Sequence, residues 1–355
     1  MRKLFNYFKA DDYQIWAHTY FDNNLRIRPV ENFEKIDFSS KIPIESWKQA
    51  IFPAKQNLFE FNNSPSSPSY FSRQSRRGLG GIKIVLFGVR IFDLEAIYLY
   101  DTVFANDPYY QFNRKNVLIV GFAPKKQKKD TEVLFDKTFS KERLSHFNFD
   151  IFFDETDKKY YCGSKLGEQI LKKLKIKFNN SPSSSSYFKR GLGGVTAFEH
   201  SEAWRDFLEW KKVIEHTLDS KIWEELGKTC LACGKCSIAC PTCFCFDITH
   251  ELKVIPRESA LTPRKSAMRD SALTNRNWGN CFYQEFHRIA PNNFMIDQIR
   301  DRILFWYFHK FVRIPKDYFL RGCVGCERCT EVCPVGINIK KILSTLRKQQ
   351  SKNRP

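Results

Sequence analysis

Eight of the twelve cysteines in this 355-residue chain fall into two copies of one spacing. Cys230, Cys233, Cys236 and Cys240 form the first copy, closed by Pro241. Cys323, Cys326, Cys329 and Cys333 form the second, closed by Pro334. Each reads C-x2-C-x2-C-x3-C-P, the run that ligates cubane 4Fe–4S clusters. A thiolate at every third residue lets a short loop wrap three corners of a cube, while the fourth is carried away on the next turn. Zinc sites use C-x2-C pairs set apart from one another, and disulfides need an oxidising compartment. Neither fits two such quartets as well as a pair of 4Fe–4S clusters does.

The rest of the chain narrows the setting. Met1–Lys9 is too short and too broken for the apolar core of a secretory leader. No stretch approaches the roughly 18 apolar residues of a membrane span. The expectation is a soluble protein of a reducing cytoplasm. The formal charge of +19 invites a nucleic-acid reading. Almost all of the excess sits in residues 62–81, 125–130, 179–194, 257–276 and 340–355, however, and the remaining body is nearly neutral. Charge runs in loops and tails are usually solvated faces, so the expectation is no nucleic acid; a basic face for an acidic redox partner fits better. The chain has no G-x-G-x-x-G and no Walker sequence, which argues against direct nucleotide binding. His200, His216, His250, His287 and His309 show no metal-ligand spacing.

The elements that must position the cysteines follow from periodicity. Residues 83–87 (KIVLF) and 116–121 (NVLIVG) are apolar runs of strand length, and Asp93 is a plausible N-cap for a helix through LEAIYLYDTVF between them. Strand, helix, strand implies a parallel βαβ unit. Residues 147–153 suggest a further strand. Residues 163–176 and 198–227 have helical periodicity, the latter with Trp204, Phe207, Leu208, Trp210 and Val213 as an apolar stripe. Residues 294–313 and 337–349 have it too. Phe61–Gly81 and Phe178–Gly194 are near copies rich in Ser, Pro and Gly. With Arg257–Arg276 they look like inserted surface loops. The expected organisation is an α/β (or α+β) domain over 1–160 with an insertion at 61–81. A helical connector follows over 161–222, with an insertion at 178–194. An α-helical two-cluster ferredoxin-like domain then covers 223–349, with an insertion at 257–276.

CLACGKCSIACPTCFCFD (230–247) and GCVGCERCTEVCPVGINI (322–339) resemble the two-cluster electron-transfer subunit shared by soluble sulfhydrogenases (the beta subunit) and anaerobic sulfite reductase. FGVRIFDLEAI (87–97), DPYY (107–110), YYCGSKLGEQI (160–170), WGNCF (278–282) and FHKF (308–311) extend the likeness over most of the chain outside the insertions. The resemblance implies an electron-transfer subunit with no active site of its own. It would relay electrons between a flavin subunit that takes hydride from NAD(P)H and a terminal hydrogenase, sulfur reductase or sulfite reductase subunit. The alternative is the iron–sulfur subunit of a quinone- or heterodisulfide-linked respiratory complex. One departure stands out. Where the family often has GVRPCD, this chain has Gly88-Val89-Arg90-Ile91-Phe92-Asp93, and it has no cysteine before Cys162. A cofactor held by N-terminal thiolates in relatives would be lost here.

Crossed ligation is expected. One cluster takes Cys230, Cys233, Cys236 and Cys333; the other takes Cys323, Cys326, Cys329 and Cys240. The uncrossed arrangement, each motif holding its own cluster, is the alternative. Gly234 and Gly325 would let backbone amides approach the sulfur atoms, and Lys235 and Arg328 stand next to ligands. Cys162, Cys243, Cys245 and Cys281 are left over. Free cysteines are commonly small buried hydrophobes, but Cys243, Cys245 and Cys281 are also candidates for a third cluster or a sulfur site.

Overall fold

The computed structural model describes residues 1–61, 83–125, 139–180, 202–253 and 271–352. The N-terminal half is built on α1 (Arg2–Ala10), β1 (Gln14–Phe21), β2 (Asn24–Pro29), α2 (Lys48–Ile51), β3 (Lys55–Phe61), β4 (Ile84–Val89), α3 (Ile91–Val103), α4 (Pro108–Lys115), β5 (Val117–Ala123), α5 (Lys141–Leu144), β6 (Ile151–Asp154), β7 (Lys159–Cys162), α6 (Lys165–Lys173) and β8 (Phe178–Asn180). Seven of these strands form one sheet in the order β2-β1-β4-β5-β6-β7-β8. The pairs β1–β4, β4–β5 and β5–β6 are parallel, so the expected βαβ unit is present. Both central strands are buried along their whole length, as parallel strands covered on two faces must be. Successive side chains of a strand point to opposite faces, and here they feed two cores. Ile84, Leu86 and Ile119 pack with Trp47, Phe52 and Tyr100 on one face. Val85, Phe87, Leu118 and Val120 pack with Leu4, Phe5 and Phe8 of α1 on the other.

The C-terminal half comprises α7 (Glu202–Glu215), α8 (Lys221–Thr229), α9 (Lys235–Ala239), β9 (Phe246–Lys253), β10 (Ser271–Trp278), β11 (Arg288–Ala290), β12 (Asn293–Phe294), α10 (Ile299–Phe308), a π-helical turn (His309–Arg313), α11 (Ile314–Tyr318), α12 (Arg328–Glu331) and α13 (Ile339–Lys352). Val213, Trp223, Trp306 and Leu343, one each from α7, α8, α10 and α13, share a core with Cys281 and Phe282. The region is not purely helical. Strand β10 pairs antiparallel with β9 and with β3 from the N-terminal half.

Several expectations are corrected in detail. The N-cap of α3 is Arg90, not Asp93; the Asp93 carboxylate goes to Arg328 instead. The helical stretch expected over 198–227 breaks after Glu215, and α8 restarts with Ser220 accepting from the Ile222 amide, an ordinary side-chain cap. Leu208 is exposed, whereas Trp210 and Val213 are buried; the side chains of Trp204 and Phe207 lie outside the described residues. Of the three expected insertions, residues 62–81, 181–194 and 257–270 lie outside the described residues, but their edges are strands. Phe61 ends β3, Phe178–Asn180 forms β8, and Ser271–Arg276 belongs to β10. Buried Thr274, Asn275 and Arg276 hid that last strand, because their polarity reads as loop.

Candidate metal centre

The two cysteine loops share one backbone conformation. In the first, Ala232 and Gly234 flank Cys233 with φ of 49° and 70°; in the second, Gly325 and Glu327 flank Cys326 with φ of 66° and 65°. Left-handed residues on each side of the second cysteine curl the chain, so that three thiols and several amides turn inward. The amide of Ala232 points at Cys230 Sγ (3.4 Å) and that of Ile337 at Cys333 Sγ (3.3 Å). A short helix then starts at once in both copies, α9 at Lys235 and α12 at Arg328. It carries the third cysteine on its first turn and leaves the fourth at or just past its end. Gly234 is required twice over. A Cβ there would stand 1.9 Å from Asn280 Nδ2, whose N–H donates to Gly234 O at 2.8 Å.

A cavity of about 50 Å³ has Cys230, Cys233, Cys236, Cys329 and Cys333 on its wall, several times the ~10–15 Å³ that one water needs. These are the first three cysteines of one motif and the third and fourth of the other, so Cys333 stands on one wall with Cys230, Cys233 and Cys236. Trp306 and Tyr307 form part of its apolar lining. The remaining motif cysteines are neighbours too. Burial pushes the Cys323 thiol up to about 12 and Cys329 well above the usual thiol range, and the charge of Cys240 adds to both. Burial likewise raises Cys326, with Cys240 again contributing. Tyr307 lies between the two sets, its phenol raised first by burial and then by Cys329, Cys236, Cys323 and Cys333. A metal bound here would have to displace these protons.

The fit of a cluster can be tested on one buried cation. Lys310 is 2% exposed. Its ammonium donates to Cys240 Sγ (3.1 Å), Thr242 Oγ1 (3.0 Å) and Gly322 O (3.1 Å), and it lies over the Trp306 ring at 5.0 Å. Among the described residues no carboxylate lies within ion-pair distance of it. An ammonium buried this deeply needs negative charge nearby. Cys240 is held well below the usual thiol range, first by the Cys243 thiol and then by Lys310 and Thr242. A cluster bound by four thiolates is anionic, so the donor set and its counter-charge suit one. No three His, Cys, Asp or Glu side chains among the described residues converge on a single metal ion; the motif thiols ring a cavity instead.

The leftover cysteines divide. Cys162 ends β7, its thiol against Ser164 O at 3.1 Å, within the α/β core. The Cys243 thiol hydrogen-bonds Cys240 and the Cys281 thiol hydrogen-bonds Cys245, so the three extra candidates gather beside the second quartet. Buried Lys48 reaches the carbonyls of Ser237 (3.4 Å) and Cys243 (3.5 Å) there, over the Trp278 ring at 4.3 Å. Lys235 is exposed. Arg328 is fully buried in a bidentate pair with Asp93 (2.7 and 3.0 Å). Lys310, Thr242 and Asn280 were missed as site residues. The signal for Lys310 was a single charge inside the apolar run FWYFHKFV.

The 4Fe-4S dicluster domain family matches residues 229–337. The chain is 28% identical over 278 residues to sulfhydrogenase 2 subunit beta of Pyrococcus furiosus, covering 76% of this chain and 75% of that protein. No solved structure matches.

Proposed function

We propose that this chain, a homologue of the sulfhydrogenase beta subunit with a 4Fe-4S dicluster domain, binds two clusters with crossed ligation and relays single electrons within a multi-subunit oxidoreductase. The observation that carries the reading is the cavity that brings Cys333 of the second motif onto one wall with Cys230, Cys233 and Cys236 of the first, Cys329 also lining it. A bound cluster supplies one-electron chemistry that protein side chains lack. The chain's own residues do the rest. The left-handed loops aim amides at sulfur, Trp306 and Tyr307 keep the interior dry, and Lys310 offsets charge at Cys240. The first cavity opens at the surface, where Leu231 is 63% and Val335 36% exposed, giving electrons a short way in or out. Cys240 and Cys326 are buried. The proposed partners are a flavin subunit oxidising NAD(P)H on one side and a terminal hydrogenase, sulfur or sulfite reductase subunit on the other. A ferredoxin-like arrangement of the cluster region accords with the repeated loop–helix units.

Anaerobic protein tests the relay. It should bleach with dithionite, stay oxidised with NAD(P)H alone, and be reduced by NAD(P)H once a flavin reductase subunit is added. Oxidation of NAD(P)H by the chain alone, or no bleaching, would overturn the proposal.

A further inference from the structure

The two quartets stand in unlike electrostatic surroundings, and the difference centres on Lys310. Its three N–H groups are all used, on Cys240 Sγ, Thr242 Oγ1 and Gly322 O. The single hydroxyl proton of Thr242 goes to Gly322 O at 2.7 Å, which leaves Lys310, beside the neutral Cys243 thiol, as the charged donor to Cys240. The position is built in. Lys310 lies in the π-helical turn His309–Arg313, a widened turn of the kind that recurs at functional sites. Gly322 is pressed against its backbone so closely that a Cβ there would meet Lys310 O at 2.2 Å. Two other buried cations stand at this quartet: Arg328, whose charge is cancelled by Asp93, and Lys48, which reaches the backbone carbonyls of Ser237 and Cys243 and not a motif sulfur. Lys310 is therefore the cation without a carboxylate partner that donates to a motif sulfur. At the other quartet the cation acting on Cys230 is Arg302, and its guanidinium donates to Phe282 O at 2.9 Å. Lys235 beside Cys236 is exposed and screened by water.

We infer that Lys310 is a positioning residue for electrons: it makes the cluster bound through Cys240 the higher-potential of the two, so that a single electron entering the chain rests there. The inference rests on the two-cluster reading. On reduction a cluster gains one electron and no proton, no bond is broken, and the cluster with its four thiolates goes from dianion to trianion. A fixed ammonium in hydrogen-bond contact with a ligand sulfur stabilises the trianion more than the dianion.

The test is a redox titration of the full chain, followed by electron paramagnetic resonance, with dithionite as the electron donor. Iron analysis comes first; wild-type protein without iron would defeat the two-cluster reading itself. In Lys310→Met the cluster bound through Cys240 should become at least tenfold harder to reduce, a 59 mV drop for a one-electron couple. The other cluster should move less than threefold, and Lys310→Arg should stay within threefold of wild type at both. Lys310→Met with eight irons and unchanged midpoints would overturn the inference. Should that variant not assemble, wild type and Cys240→Ser decide. Two distinct wild-type midpoints, the higher one moved by Cys240→Ser, support it; equal midpoints, or movement of the lower one, refute it.

Discussion

A buried histidine far from the motifs in sequence makes the fold sensitive to acid. His18 on β1 is 2% exposed and stacks on Trp47 at a centroid distance of 5.2 Å; its Nε2 has no hydrogen-bond partner. Burial, then the charges of Arg90 and Arg328, push it well below its ordinary 6.5. The native state keeps it neutral while the unfolded chain takes up a proton. The stability it contributes is therefore whole above pH 6.5 and is lost as the pH falls below that, by up to about 1.4 kcal/mol per pH unit. His18→Phe keeps the stacking and cannot titrate. Thermal unfolding between pH 7 and 5 should show the wild type losing stability faster than the variant; parallel losses would contradict this. Legibility at this scale depends on what a residue's role requires. The eight cysteines declare themselves by spacing, which the cluster's shape dictates. His18 and Lys310 act through burial, and burial is a property of the fold rather than of neighbours in the chain.

Among the elements, the cysteine loops impose the strictest demands. Gly234 combines a φ of 70° with a close approach in which a Cβ would stand 1.9 Å from Asn280 Nδ2, tighter than at Gly121, Gly167 or Gly322. Gly336, also at 70°, has open space around it. Gly336→Ala should cost only the left-handed penalty, about 1–2 kcal/mol. Gly234→Ala should cost roughly 1–3 kcal/mol more, because the Asn280 hydrogen bond must also give way. Its iron content should fall from eight towards four as the first quartet fails. Thermal unfolding and iron analysis of the two variants check this, and equal effects would remove the close approach from the account. The central strands β4 and β5 and the helices α10 and α13 were visible in the sequence because apolar runs and helical spacing report burial directly. Strand β10 was not, since the side chains it buries are Thr274, Asn275 and Arg276. The π-helical turn left no trace, because one added residue per turn barely alters a helical pattern.

At the scale of the molecule, the two halves are interlocked in a way no local pattern announces. Strand β3 leaves the N-terminal half to pair with β10. The buried Arg328–Asp93 pair joins residues 235 positions apart, and its breakage would strand a charge at a cost of about 3–5 kcal/mol. The Tyr100 hydroxyl donates to Cys243 O from the opposite half. Helix α3 thus backs the second quartet, while the first faces solvent, and an electron would cross from the surface to the seam between the halves. All of this depends on metal. Iron, acid-labile sulfide and zinc, measured per chain on anaerobically purified protein, test it most directly. The account predicts eight irons, eight sulfides and no zinc. Zinc in their place, or protein free of both metals, would contradict it, and twelve irons would contradict the count of two clusters.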